Sequence, residues 1–380
     1  MKISHKVAQI RESGTVQFTP LVQRLKAEGR GIIDFSVGEP FFPTPAEVIR
    51  ATQTALAENR TRYDAVAGLD SLRDAILDDF RDLSFSRANV VISNGSKQSL
   101  YSVFQTICNA GDEVIIPAPY WPTFPEQVRL AGGIPVIVST TSDFRIDVAA
   151  MQKAVSARTV AIVINSPNNP TGAVYARDDL EAVIRLAEKF ELYLVFDAAY
   201  EFLRYDDLPP TAKSLFRPIR DRIIAVHSFS KSYSMTGFRV GYVVADDAVA
   251  AGIRSLQGHL TGNVCTFAQY GAIAALQINH ATIRAQVQAM QAKRDLVYEL
   301  ASKLFICPKP QGAFYIFPDV TAYLTGPLKS SADLSCFLLE KAGVATVPGE
   351  VFGTPQHIRI SYAVADSDIR EGFQKIAEVL

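Results

Sequence analysis

The feature that most constrains the fold is a series of short apolar runs rich in β-branched residues, which alternate with segments of helical length. A strand with one face in water alternates apolar and polar residues, whereas these runs are apolar at nearly every position. The pattern is typical of a mainly parallel sheet with helices on both faces. The predicted strands are Val90–Ser93, Glu113–Pro117, Val160–Asn165, Tyr193–Asp197, Ile223–His227 and Val240–Val244.

The length of the chain predicts two domains. With 380 residues it exceeds the ~250–300 residues at which a single hydrophobic core stops growing. Residues 45–277 contain the alternating strands and helices and form the predicted large domain. Residues 278–380 begin with a long helical pattern and then mix short strands and helices, which predicts a smaller α+β domain. Residues 1–44 are expected to form an N-terminal arm and part of the small domain.

Charge and composition exclude several classes of partner. The formal net charge is −1, so the chain has no basic field that would attract nucleic acid or an anionic membrane. No apolar run has the length of a signal peptide core or a membrane span, and a cytoplasmic location is therefore expected. The 4 cysteines form no C-x-x-C pair and the histidines have no H-x-x-x-H spacing, so no metal site is expected.

Polar loops follow five of the predicted strands. In open α/β sheets, ligands bind beyond the carboxyl ends of the strands, where such loops meet. The sequence therefore predicts a functional site at this edge. The loops are Asn94–Lys97, Ala118–Trp121, Asn165–Gly172, Asp197–Tyr200 and Ser228–Lys231.

Two of these loops have the composition of an anion site with an amine nearby. Ser228, Ser230 and Arg239 supply two hydroxyls and a planar guanidinium, which suit a phosphate dianion, and Lys231 lies among them. Ser96 and Lys97 begin a predicted helix, whose free backbone N–H groups favour negative charge. Ser96 could also be the N-cap of that helix, and a lysine after a strand is more often a solvated loop charge.

The remaining loops offer groups for a flat heterocycle. Asp197 follows an apolar strand and could either cap the next turn or pair with a ring N–H⁺. Tyr200 and Asn169 can donate hydrogen bonds, although Asn169 also suits a turn. Trp121 is either a packed aromatic or a plate against a ring. With a phosphate site and an amine, this set describes pyridoxal 5′-phosphate (PLP). Arg359, on a predicted strand, could hold a carboxylate or be a surface arginine.

The same residues carry a resemblance to a known family. The chain resembles the class I aminotransferases of PLP fold type I over nearly its whole length, which implies a seven-stranded large-domain sheet. Of the matching segments, the one from Ser228 to Gly241 is highly specific, whereas Asn-Pro-Thr-Gly alone is not. The segments are Ser36–Pro40, Tyr63-x4-Gly68-x3-Leu72-Arg73, Asn169–Gly172, Asp197-x2-Tyr200, Ser228-x-Ser230-Lys231-x7-Arg239-x-Gly241, and Arg359.

The resemblance also implies roles. Lys231 would form the Schiff base and move the proton, and Asp197 would pair with the pyridine nitrogen. The ring oxygen, the phosphate, the stacking face and the substrate carboxylate would each have their own ligands. Asn169 and Tyr200 would bind the ring oxygen, and Gly38 and Arg359 the substrate carboxylate, while Trp121 would stack on the ring. The phosphate ligands would be Ser96, Lys97, Ser228 and Arg239, and Ser230 is a further candidate for cofactor binding. Tyr63 would reach the phosphate of a second subunit, which implies a homodimer with shared sites.

Several alternatives stay open. A carbon–sulfur lyase or decarboxylase on the same scaffold is the nearest one. A PLP-sensing transcription regulator would need a DNA-binding domain before residue 38, and Gly29-Arg30-Gly31 lacks the third glycine of a dinucleotide site.

The amino donor is also open. An aspartate donor needs a second cation, for which Arg11, Lys97 and Arg254 are candidates. Aromatic donors are suggested by three phenylalanines expected near the substrate, Phe41, Phe42 and Phe314.

Overall fold

A computed structural model describes residues 3–8, 10 and 19–380 of the chain. Arg11, one of the candidate cations, lies outside these residues. The strands in chain order are β1 (Ile33–Asp34), β2 (Val90–Ser93), β3 (Glu113–Ala118), β4 (Ile134–Ser139), β5 (Thr159–Asn165), β6 (Tyr193–Asp197), β7 (Ile223–Ser228), β8 (Gly241–Val244), β9 (Tyr315–Ile316), β10 (Val344–Ala345), β11 (Val347–Pro348) and β12 (Ile358–Ser361).

The helices begin near the N-terminus and continue to the end of the chain. They are α1 (His5–Ala8), α2 (Thr19–Ala27), α3 (Ala46–Ala57), α4 (Asp70–Leu77), α5 (Ser96–Ile107), α6 (Thr123–Leu130), α7 (Val148–Ala154), α8 (Arg177–Lys189), α9 (Phe229–Ser232), α10 (Asp247–Leu260), α11 (Thr266–Leu276), α12 (His280–Ala301), α13 (Ser331–Phe337) and α14 (Asp366–Val379).

Seven strands form one sheet in the order β2-β8-β7-β6-β5-β3-β4. Strand β8 is antiparallel to both of its neighbours, and the other pairs are parallel. Alternate residues of each central strand enter two different cores: Ile162 and Ile164 pack in one, and Ala161 and Val163 in the other. Both faces of the sheet are therefore covered, which confirms the predicted α/β fold.

Strand β4 was not predicted from the sequence. It lies at the edge of the sheet and pairs in parallel with β3 alone. Pro135 lies within it, and Ile134 and Ile137 are exposed. A proline in a run argues against a central strand, but an edge strand tolerates it because one side of its backbone has no partner.

A second, smaller structure packs beside this sheet. Strands β11, β12 and β9 form an antiparallel sheet, and β1 pairs in parallel with β10. Their side chains share a hydrophobic core with helices α12 and α14, in which Val297 and Ile369 are buried. The N-terminal segment thus meets the C-terminal part through β1. The domain limits at residues 44 and 277 stay a prediction.

The described residues contain neither a membrane-spanning helix nor a cluster of metal ligands. None of the helices at residues 3–8, 10 and 19–380 combines the length and the apolar character that a membrane crossing needs. Within the same part of the chain, no three His, Cys, Asp or Glu side chains are grouped so that they could hold a metal ion. The cytoplasmic location stays a prediction.

Candidate active site

A cavity of about 270 Å³ lies at the carboxyl ends of the parallel strands, where the seven-stranded sheet meets the three-stranded sheet. It collects every residue with a predicted role in catalysis, cofactor binding or α-carboxylate binding except Tyr63. Four lining residues were not predicted as site residues: Ser36, Asn165, Ala199 and Tyr315. The predicted ones are Gly38, Ser96, Lys97, Trp121, Asn169, Asp197, Tyr200, Ser228, Ser230, Lys231, Arg239 and Arg359.

Lys231 lies in the short helix α9, directly after strand β7. Its Nζ donates a hydrogen bond of 2.5 Å to the carbonyl oxygen of Gly38. Burial lowers the pKa of Lys231 to about 8, with further lowering by Arg239 and Arg359, and Glu39 opposes the shift. A lysine with a lowered pKa is more often in its neutral form near neutral pH, and only that form attacks a carbonyl carbon.

One end of the cavity is shaped for an anion. A Cβ atom at Gly95 would lie 2.6 Å from Arg239 Nη2, so the absence of a side chain lets the guanidinium approach the backbone closely. Arg239 has a φ of 57°, in the left-handed region that non-glycine residues rarely adopt. Gly95, at φ 81°, is the N-cap of α5, and Ser96 is the first helical residue. The alternative in which Ser96 caps the helix is therefore wrong.

Serine hydroxyls and helix amides complete this end. Ser228 is the N-cap of α9, and its Oγ accepts a hydrogen bond of 3.2 Å from the backbone N–H of Ser230. This contact uses the oxygen of Ser228 as an acceptor and leaves its hydroxyl proton for a ligand. Because Gly95 N-caps the 12-residue helix α5, the first backbone N–H groups of that helix point toward the same end.

Asp197 is buried at the middle of the cavity, at the end of β6. Its Oδ1 accepts a hydrogen bond of 3.0 Å from the backbone N–H of Ala199. Burial raises the pKa of Asp197 to about 7, and this hydrogen bond opposes the shift. Asp197 therefore both caps the following turn and presents a carboxyl group whose charge would be stabilised by a cationic partner.

The opposite end of the cavity is formed around Arg359, on strand β12. Its Nη1 donates to Asn169 Oδ1 at 3.1 Å and its Nη2 to the carbonyl oxygen of Ser36 at 2.9 Å. The guanidinium lies 4.3 Å from the ring centroid of Tyr315. Arg359 is 3% exposed, so the alternative of a surface arginine is wrong. Its Nε is buried and has no hydrogen-bond partner among the described residues.

Trp121 and Lys97 lie together on the wall of the cavity. Lys97 Nζ is 5.2 Å from the centroid of the Trp121 ring, within the range of a cation–π contact. Burial lowers the pKa of Lys97, and Arg239 lowers it further. Arg254, another candidate second cation, does not line the cavity, and its Nη1 donates to the carbonyl oxygen of Ala88.

Tyr63 and three phenylalanines lie outside the main cavity. Tyr63 is 98% exposed and borders a shallow surface depression with Asn263 and Phe267. The three phenylalanines expected near the substrate line a separate, narrow cavity of about 20 Å³ on the other side of Lys231; they are Phe41, Phe42 and Phe314. They do not contact the main cavity directly.

Comparison with known proteins identifies the family of the chain. The sequence model of the family "Aminotransferase class I and II" matches residues 30–376. A probable aspartate/prephenate aminotransferase of Aquifex aeolicus is 39% identical over 388 residues, with 100% of this chain and 98% of the relative covered. An aspartate aminotransferase of Streptomyces avermitilis is 37% identical, with 100% and 96% covered.

Solved structures agree with the sequence comparison. The aspartate aminotransferase of Thermus thermophilus with maleate superposes with a TM-score of 0.95 at 35% identity, and all of both chains is covered. The family model, the fold and the full-length relatives all indicate an aminotransferase, which sets aside the lyase, the decarboxylase, the transcription regulator and the dinucleotide-binding protein. The chain belongs to the class I and II aminotransferase family and is an aminotransferase.

Proposed function

We propose that this aminotransferase uses PLP carried on Lys231 and moves the amino group of aspartate to a 2-oxo acid. The observation that supports the substrate is the pair of cations at separate places on the cavity wall. Arg359 lies at one end beside Asn169, and Lys97 lies over Trp121. A dicarboxylic amino acid needs one cation for each carboxylate.

The residues of the cavity fit PLP at three points. The guanidinium of Arg239 beside Gly95, the serines and the helix amides form an anion site for the phosphate. Among the residues that the structure describes, no cation influences the buried carboxyl group of Asp197, and a protonated ring nitrogen would supply one. Trp121 offers a flat face and Tyr200 and Asn169 offer hydrogen-bond donors for a ring oxygen.

When it is bound, PLP supplies a ring that withdraws the electron pair released at the α-carbon of the amino acid. The chain supplies the rest. Asp197, in its ionised form, keeps the ring nitrogen protonated. Lys231 Nζ provides the amine that carries the cofactor and, once displaced, accepts and returns the α-proton. Its lowered pKa suits both tasks, because the amine must take and release a proton near neutral pH.

Arg359 would orient the substrate through its carboxylate. The guanidinium is held by Asn169 and Ser36, so its direction is fixed before a ligand arrives. Its buried Nε and the second hydrogens on Nη1 and Nη2 remain for a carboxylate. A carboxylate bound there would be held in one plane, and this would fix the α-C–H bond relative to the cofactor ring.

Lys97 is the proposed ligand for the second carboxylate, which leaves the phosphate to Arg239 and the serines. Of the candidate cations in the described residues, it lines the cavity and Arg254 does not. Relatives support a dicarboxylic substrate, since the Aquifex aeolicus and Streptomyces avermitilis proteins are named for aspartate and the Thermus thermophilus structure contains maleate, a dicarboxylate.

A panel of amino donors tests the proposal. The donors are aspartate, asparagine, alanine and phenylalanine, each with 2-oxoglutarate, pyruvate and oxaloacetate as acceptors, on the wild type and on Lys97→Gln. We expect Lys97→Gln to lower kcat/KM for aspartate by at least about tenfold, because a charged hydrogen bond contributes ~1.5–3 kcal/mol, and to leave alanine nearly unchanged. Equal losses for both donors together with weakened PLP binding would instead assign Lys97 to the phosphate.

We further propose a homodimer in which Tyr63 serves the phosphate site of the second subunit. Support comes from its 98% exposure, because a large aromatic side chain with so little contact in its own chain suits an interface. Mixing subunits that carry Tyr63→Ala with subunits that carry Lys231→Ala should restore part of the activity, because each heterodimer would contain one intact site. Purified heterodimers with no activity would contradict a shared site.

A further inference from the structure

A pair of tyrosine hydroxyls connects the two halves of the cavity. Tyr200 follows β6 of the seven-stranded sheet, and Tyr315 begins β9 of the three-stranded sheet. Their hydroxyl oxygens are 3.0 Å apart, and both side chains are buried and line the cavity. In the proposed function, the hydroxyl of Tyr200 donates a hydrogen bond to the ring oxygen of the cofactor, and Tyr315 has no role.

The two hydroxyls share one hydrogen bond, and either of them can be the donor. Burial raises the pKa of Tyr200 well above its ordinary value and also raises that of Tyr315, so both are protonated at neutral pH. A phenol has one proton to donate. If Tyr200 donates to Tyr315, its proton is not available to a ligand. If Tyr315 donates, the proton of Tyr200 is free to point into the cavity.

The surroundings favour Tyr315 as the donor. The Arg359 guanidinium lies 4.3 Å from the centroid of its ring, and this cation is the main influence that opposes the burial-raised pKa of Tyr315. The pKa of Tyr200 is raised by burial, by Tyr315 and by the carboxyl group of Asp197, and Arg359 lowers it. Because the guanidinium contacts the Tyr315 ring directly and Asp197 raises the pKa of Tyr200, Tyr315 is the stronger acid of the two. The stronger acid donates the shared hydrogen bond.

We propose that Tyr315 is a positioning residue, whose hydroxyl donates to Tyr200 and thereby directs the single proton of Tyr200 onto the ring oxygen of the cofactor. The inference rests on the proposed function, in which Tyr200 binds that oxygen. A hydroxyl that accepts one hydrogen bond becomes a better donor in the next, so Tyr315 strengthens the contact between Tyr200 and the ring oxygen. The contact of Arg359 with the Tyr315 ring links this series of hydrogen bonds to the substrate end of the cavity.

The chain of donors has a consequence that a spectrum can record. Donation to the ring oxygen stabilises its negative charge, and a better stabilised anion holds a neighbouring proton on the lysine-linked nitrogen less tightly. The visible absorbance of the lysine-linked cofactor changes when that nitrogen loses its proton. The pH at the midpoint of this change should therefore lie lower with the intact pair of tyrosines than without it.

The test is a spectral pH titration of the holoenzyme in four forms: wild type, Tyr315→Phe, Tyr200→Phe and the double variant. We expect Tyr200→Phe to raise the midpoint by roughly 1–2 pH units, since it removes a charge-assisted hydrogen bond. Tyr315→Phe should raise it by about 0.3 units, since the second donor strengthens the first contact only in part. In the Tyr200→Phe background, Tyr315→Phe should cause no further shift.

A matched control removes another buried hydroxyl. Tyr362 belongs to the same core as Tyr315 but does not line the cavity, and its hydroxyl donates to the carbonyl oxygen of Ala313 at 3.4 Å. Tyr362→Phe should leave the midpoint where it is. An unmoved midpoint in Tyr315→Phe, or the same shift with and without Tyr200, would overturn the inference alone. A wild-type protein that forms no lysine-linked band with PLP would overturn the proposed function and the inference with it.

Discussion

The two ends of the cavity are assembled in different ways. The anion end comes from short segments at the ends of strands in one sheet: Gly95 and Ser96 after β2, and Ser228, Ser230 and Arg239 from the end of β7 to the start of β8. At the Arg359 end, contacts join parts of the chain that are far apart in sequence. Arg359 reaches Ser36 across 323 residues and Asn169 across 190.

This difference suggests that the two ends have separate functions. The anion end depends on backbone geometry within one sheet, where Gly95 and the left-handed Arg239 fit together, so it can exist whenever that sheet is folded. The Arg359 end exists only when the two sheets are packed against each other, because its residues come from both. We therefore expect changes at the first end to affect retention of the cofactor, and changes at the second to affect use of the amino acid.

Replacement of the group between the two ends should have the largest effect. Lys231→Ala removes the amine that both the cofactor and the proton transfer need, and we expect turnover to fall by at least about a thousandfold, as for other covalent catalytic groups. Borohydride reduction of the wild-type holoenzyme followed by peptide mapping should place the cofactor on Lys231. A label on another lysine, Lys97 included, would contradict the assignment.

The sequence predicts the anion end better than the other end, for a physical reason. Ser228 and Arg239 are close in sequence and lie at or after the end of a predicted strand, so the strand-end rule and the residue types suffice. Tyr315 lies in the run Ala313–Phe317, which reads as core, and its strand β9 has two residues. Only the packing of the small sheet turns its hydroxyl toward Tyr200, and no local pattern records that contact.

The other features that the sequence did not predict also depend on contacts between distant parts of the chain or on exposure at an edge. Strand β4 escaped prediction because Pro135 and its half-exposed edge position weaken the apolar pattern. The phenylalanines near Gly38 are aromatic residues close to the site in sequence, yet they turn into a separate cavity. The contacts of Arg359 come from three segments far apart in sequence, at Ser36, Asn169 and Tyr315, and the alternation within its strand could predict only which face it shares.

The next largest effect concerns Asp197, between the two ends. Its pKa is raised to about 7 from 3.8, so the folded protein without cofactor binds this proton more tightly than the unfolded chain does. The stability that protonated Asp197 contributes is therefore present at low pH, falls as the pH rises from about 4 to 7, and is lost above about 7. The asparagine of Asp197→Asn does not ionise, so the variant does not lose stability in this way. Between pH 5 and 8 the variant should gain ~2–3 kcal/mol over the wild type in free energy of unfolding.

Urea unfolding of the two proteins without PLP, at pH 5 and pH 8, measures this gain. The exposed Asp82 provides a control, since Asp82→Asn should change stability equally at both pH values. With PLP present the order should reverse, because the asparagine cannot pair with a protonated ring nitrogen and the cofactor then stabilises the variant less. A difference between variant and wild type that does not depend on pH would mean that Asp197 is charged in the empty site.

Two arginine-to-lysine variants have the smallest expected effects, and they separate the two ends most directly because the charge at each end is kept. Arg359→Lys should lower kcat/KM for aspartate by at least about tenfold, since an ammonium cannot bind a carboxylate with two parallel hydrogen bonds, and it should leave PLP affinity unchanged. Arg239→Lys should do the reverse, with PLP affinity reduced by about tenfold and the KM for aspartate nearly constant once the site is saturated with cofactor.

Steady-state kinetics and a PLP titration on both variants give the comparison, with Arg254→Lys as the control arginine outside the cavity. The geometry sets the sign of each result. Arg359 is held by Asn169 and Ser36 and contacts Tyr315, all at the substrate end, whereas Arg239 packs against Gly95 and donates to the carbonyl oxygen of Thr236. If Arg359→Lys bound PLP more weakly but kept the wild-type KM for aspartate, the substrate carboxylate would have to bind elsewhere. The two ends would then not be functionally separate.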